Sequence, residues 1–74
     1  MNEHDLIALT CDLPEYGLRT DDVGTIVNVY ENEKGYEVEF VTLIGDTVAI
    51  VTLLPDQVRS ITPSEVAMAR PRAG

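Results

Sequence analysis

The stretch VGTIVNVYENEKGYEVEF, residues 23–40, decides the fold. It holds two runs of β-branched and aromatic residues in alternation, separated by a polar loop that ends in glycine. In the first run Val23, Thr25, Val27 and Val29 share one face, and Gly24, Ile26, Asn28 and Tyr30 share the other. Gly24 inside that pattern predicts a bulge or a close backbone crossing. In the second run Tyr36, Val38 and Phe40 point one way and Glu37 and Glu39 the other. Glu31–Gly35 forms the hairpin loop between them, with Gly35 suited to a positive φ.

Further strands lie on either side. Asp5–Thr10 reads as a first strand, with apolar residues on both faces. Residues 11–22 form a long loop punctuated by Pro14, Gly17 and the Asp21-Asp22 pair, and Leu13, Tyr16 and Leu18 fold it back on the body. The third strand, Tyr36–Thr42, turns at Gly45-Asp46 into a fourth, Val48–Leu53. A two-residue turn there pairs Ile44 with Thr47, and so sets Phe40 opposite Val51 and Val38 opposite Leu53. Leu54–Gln57 reads as a turn of 3₁₀ helix and Val58–Ile61 as a brief fifth strand. Thr62-Pro63-Ser64-Glu65 has the form of a helix-capping box, and Pro71 stops whatever helix it starts. The domain is thus residues 5–61, and residues 62–74 are a tail, either a short capped helix or disordered.

Five short strands and a long first loop predict an all-β fold, a small five-stranded SH3-like barrel with a short C-terminal helical or disordered tail. At 74 residues the chain is one domain with a stability on the order of 4–10 kcal/mol. No apolar run reaches the ~18 residues of a membrane span, the first residues lack a basic signal region, and Cys11 stands alone. A reducing cytoplasm fits these features.

Charge narrows the function. Thirteen acids oppose five bases, for a net charge of −8. Two of the bases, Arg70 and Arg72, lie in the tail, which leaves Arg19, Lys34 and Arg59 for the body. Nucleic-acid binding draws on cations that neutralise phosphates, and this body has no basic stripe. The charge favours a basic protein partner, or else serves solubility.

Asp21–Val27, DDVGTIV, resembles the G-T-V strand of SH3-like barrels, including the KOW type of ribosomal and transcription factors. A wider resemblance runs over about residues 5–61. Asp12-Leu13-Pro14-Glu15, Gly17-Leu18, Asp22–Thr25, Tyr36–Phe40 and Thr52-Leu53 are similar to a bacterial family of small proteins classed as domain of unknown function 4926. Genes of that family often stand beside a toxin gene, so the resemblance implies an antitoxin or immunity role. It supplies no active site to carry over.

The chemical constellations are sparse. Glu37 and Glu39, with Glu31 and Glu33 nearby, are either an acidic patch for a basic surface or a solvated strand face. A flat strand face is no place for a glycosidase carboxylate pair. Asp12, Glu15, Asp21 and Asp22 lack the spacing of a calcium loop and read as turn formers. His4 and Cys11 are too few for zinc and lack a third group to orient a nucleophile. Tyr16, Tyr30 and Tyr36 make a poor aromatic shelf for a proline-rich peptide or a single strand of nucleic acid.

One feature points to an interface. Phe40, Val51 and Leu53 fill one face of the second hairpin, yet Val41, Leu43, Val48 and Ile50 fill the opposite face, with Ile44 at its tip. The chain's own loop, its C-terminal segment or another protein covers that outer set. The sequence therefore reads as a non-enzymatic protein-binding module without cofactor or metal. Its partner-binding residues are Glu37, Glu39, Val41, Leu43, Ile44, Val48 and Ile50, and its partner is a basic protein such as a toxin. Two alternatives stand beside it: a homo-oligomeric structural module, such as a homodimer, that pairs through the same hairpin, and a KOW-like barrel associated with nucleic acid.

Overall fold

A computed structural model of the chain describes residues 1–41, 47–62 and 64, with the backbone alone at Thr47 and Val48. It is all-β. Five strands, β1 (Leu6–Leu9), β2 (Val23–Val29), β3 (Tyr36–Val41), β4 (Thr47–Leu53) and β5 (Val58–Ser60), form one antiparallel sheet. Their order is β4-β3-β2-β1-β5, a barrel-like arrangement in which β4 and β5 are the two edges and do not pair with each other. The expected 3₁₀ turn is present at Pro55–Gln57, and the two stretches read as plain loops also contain one each, at Pro14–Tyr16 and Glu31–Glu33.

The inner face is continuous. Leu9 pairs with Val58, Ile7 with Gly24, Ile26 with Val38, Val38 with Val51, and Tyr36 with both Val29 and Leu53. Ile7, Leu9, Ile26, Val38 and Leu53 are fully buried there, and Phe40 is 2 % exposed. Gly24 is required at its position. A Cβ on it would stand 2.6 Å from Val38 Cγ1, 2.8 Å from Phe40 Cε1 and 3.0 Å from the Glu39 carbonyl oxygen. The Phe40 ring thus occupies the space that a β2 side chain would otherwise fill.

The long first loop closes on itself. The Leu13 and Leu18 amides each donate to the other residue's carbonyl, at 2.9 and 3.1 Å, and both side chains are buried in the core. Gly17 takes φ +70° at the end of the 3₁₀ turn and donates its N–H to the Pro14 carbonyl. Tyr16, expected to fold back with the two leucines, is instead 45 % exposed.

Two register errors in the sequence reading have one kind of cause. Phe40 pairs with Ala49 rather than Val51, and Val38 with Val51 rather than Leu53. Thr47 is paired with Val41, not with Ile44, and Val48 is an extra residue in the ladder. The Gly45-Asp46 turn itself lies outside the described residues. In β2 a second bulge falls at Val27, between the Ile26–Val38 and Asn28–Glu37 pairs. It reverses the faces beyond it, so Val29 packs against the core beside Tyr36 and Asn28 faces out. Gly24 is therefore a close crossing and the bulge is three residues further on.

The loop before β3 also differs in its backbone. Asn32 and Glu33 take the positive φ values, 59° and 53°, whereas Gly35 does not. Gly35 is buried, and a Cβ there would meet the Leu53 carbonyl oxygen at 3.2 Å. Of the proposed capping box in the tail, Thr62 and Ser64 are described, with their hydroxyls 3.1 Å apart; Pro63 and residues 65–74 lie outside the described residues.

Candidate functional site

Because the inner positions of β3 and β4 are consumed by the core, the alternate positions form an outer face. Glu39 stands between Thr25 of β2 and Ile50 of β4, and Glu37 between Asn28 and Thr52. Glu37 and Glu39 are half-buried among these neighbours. Val41 continues the same face and is 51 % exposed, and Ile50 is 56 % exposed. Four of the seven residues singled out in the sequence, Glu37, Glu39, Val41 and Ile50, are thus brought together on one sheet surface. Leu43 and Ile44 lie outside the described residues, and of Val48 the backbone shows only that it is the bulged residue.

The other end of the outer face is a clamp. Arg59 on β5 donates from Nη2 to Asp21 Oδ1 at 3.3 Å, beside the start of β2. β1 runs between them, and the pair crosses it at Ala8, whose cross-strand neighbours are Val23 and Arg59. Ala8 itself is fully buried. The sequence gives no local signal for a pair 38 residues apart.

The loop acids hold the loop. Asp12 Oδ1 accepts the Thr20 N–H at 2.8 Å and the Thr20 hydroxyl at 2.9 Å. These bonds hold the Asp12 carboxyl below the usual carboxylate range; the Arg19 charge adds to that, and partial desolvation opposes it. Asp22 Oδ2 accepts the Arg19 N–H at 2.9 Å while the Asp22 N–H donates to the Arg19 carbonyl at 2.9 Å, so the turn is closed from both ends. In the second loop Glu33 Oε1 accepts the Tyr36 hydroxyl at 3.2 Å. Burial, then that hydrogen bond and the Glu33 charge, push the Tyr36 phenol up.

The remaining polar candidates are dispersed. His4 is exposed and faces Glu3 at 3.6 Å, while Cys11 is half-buried with Gln57 Nε2 3.9 Å from its sulfur. Tyr36 spends its ring on the core, which leaves Tyr16 and Tyr30 as exposed aromatics. Among the described residues no three His, Cys, Asp or Glu side chains gather as a metal set, and no helix is long and apolar enough to cross a membrane.

No curated protein and no solved structure matches the chain. A family model, domain of unknown function (DUF4926), matches residues 3–60, from just before β1 to the last residue of β5, and the chain belongs to that family.

Proposed function

We propose that the chain is a non-enzymatic protein-binding module that takes a basic partner on the outer face of β3 and β4. The observation that supports this reading is the placement of Glu37 and Glu39 on rigid strand positions with exposed Val41 and Ile50 beside them. Acidic groups attract and orient a cationic surface, and the apolar pair supplies the contact that excludes water. A net charge of −8 speeds the encounter with such a partner. The partner of choice is a basic toxin encoded nearby, which places this chain in an antitoxin or immunity role, covering the toxin's working surface.

The test is a tagged pull-down from the cell of origin with the wild type and with the doubly reversed Glu37→Lys, Glu39→Lys chain. A basic protein held in stoichiometric amount by the wild type alone is the expected result. Its association rate with the purified wild type should fall steeply with salt and that dependence should flatten in the variant. Equal capture by both chains, or an unchanged on-rate, would remove the face from the mechanism.

A further inference from the structure

The outer edge of β4 has no strand beside it among the described residues, although β4 is seven residues long. Proteins usually protect such an edge with charge, proline or brevity. The other edge, β5, follows that rule: it has three residues and carries Arg59. β4, Thr47–Leu53, has neither charge nor proline, in a chain whose net charge is −8.

The sequence of β4 also fits itself. An antiparallel partner related by a twofold axis through Ile50 would pair Ile50 with Ile50, Ala49 with Val51 and Val48 with Thr52. The Ile50–Ile50 and Ala49–Val51 pairs keep their side chains on their own faces of the sheet. The small Ala49 meets the larger Val51 on the inner side, and the two Ile50 side chains, each 56 % exposed in one chain, cover each other on the outer side. The Val48 bulge twists the start of the strand, so the contact centres on residues 49–52.

We infer that the edge of β4 takes a second copy of this chain, joining two five-stranded sheets into one. Glu39 lies one strand inside Ile50 in each copy, so the two Glu39 positions stand about three strand spacings, roughly 14 Å, across the axis. That exceeds the Debye length of about 8 Å at physiological salt, and the acids do not prevent the pairing. They do make it salt-dependent in a known direction: two chains of charge −8 associate more tightly as salt rises. A basic partner on the face behaves the opposite way, so the two interactions are separable in one titration.

The experiment is sedimentation equilibrium of the full chain over a concentration series at low and high salt, with the wild type and Ile50→Lys. A strand-edge contact is small, so the equilibrium is concentration-dependent. The expected wild-type result is a mass rising towards twice 8.1 kDa, further at high salt. Ile50→Lys sets two ammonium groups face to face and removes the apolar cover, and should weaken the dimer on the order of 100-fold. Circular dichroism confirms that this variant is folded, and Ile50→Cys in a Cys11→Ser background gives a second readout, a disulfide-linked dimer under mild oxidation. A one-chain mass at every concentration, or a dimer equally strong in Ile50→Lys, would overturn the inference without touching the basic-partner reading.

Discussion

Gly24→Ala adds one methyl group at the most crowded point of the core. Ordinary carbon contacts lie at about 3.5–4.0 Å, and the new Cβ would stand 2.6 Å from Val38 Cγ1 and 2.8 Å from Phe40 Cε1. The third neighbour, the Glu39 carbonyl oxygen at 3.0 Å, belongs to the β2–β3 ladder and cannot swing away. Overpacking of this kind costs about 1–3 kcal/mol, and two contacts this short put the cost at or above the upper end. Against it stand about 0.4–1 kcal/mol from the stiffer unfolded chain. The net loss is about 2–3 kcal/mol out of roughly 4–10. At about 4–8 °C per kcal/mol for a domain of this size, Tm falls by about 10–20 °C in a thermal melt. Gly17→Ala is the contrast: it has open space around it and φ +70°, so it carries only backbone strain of about 1–2 kcal/mol. The steric cause has its own signature, because Val38→Ala removes the atom at 2.6 Å and Gly24→Ala must then cost less in that background than alone. A Gly24→Ala chain as stable as the wild type, or strict additivity with Val38→Ala, refutes the packing argument.

Two further outcomes concern titration. The Asp12 carboxyl is held low in the folded chain by Thr20, so its stabilising effect is present above the unfolded value near pH 4 and is lost as pH falls through the folded pKa. Urea melts should show Asp12→Ala destabilised at neutral pH and the gap closing in acid; an equal gap at both pH values contradicts this. The Tyr36 phenol is raised, so its contribution is present below about pH 10 and is lost as pH rises through the folded value. Phenolate absorbance should show a late-ionising step from Tyr36, and Tyr36→Phe should abolish it at a cost of about 0.5–1.5 kcal/mol. A late step that survives in Tyr36→Phe assigns it elsewhere.

The strands were legible because alternation is a direct imprint of a sheet with one buried face. β3 shows it best: Tyr36, Val38 and Phe40 are buried and Glu37 and Glu39 lie outside, as their order states. The same alternation conceals slips of two residues, which leave every side chain on its own face. That is why Phe40 could be set against Val51 when it meets Ala49. The Val27 bulge left one trace, the polar Asn28 in line with Gly24 and Ile26, while Val27 and Val29 suit either face and carry no signal of their own. The candidate face was readable through β3, whose side chains alternate without interruption from Tyr36 to Phe40. The Arg59–Asp21 clamp was not, because its partners meet through strand order that no local spacing encodes.

The structure also separates acids by the work they do. Asp12, Asp22 and Glu33 accept hydrogen bonds that close loops, so their charge is tied to local conformation. Glu37 and Glu39 sit on the central part of β3, whose backbone is hydrogen-bonded into strands on both sides and loses no further freedom when a partner arrives. Binding through strand-borne groups therefore costs less ordering entropy than binding through loop acids of equal charge. Under the proposed reading a cationic partner would meet β3 for that reason, and a second copy would meet the uncharged edge of β4 one strand away. The first interaction would use the face of the sheet and the second its rim, and both draw on the exposed Ile50 side chain, so a second copy at β4 and a partner on the outer face would compete for it.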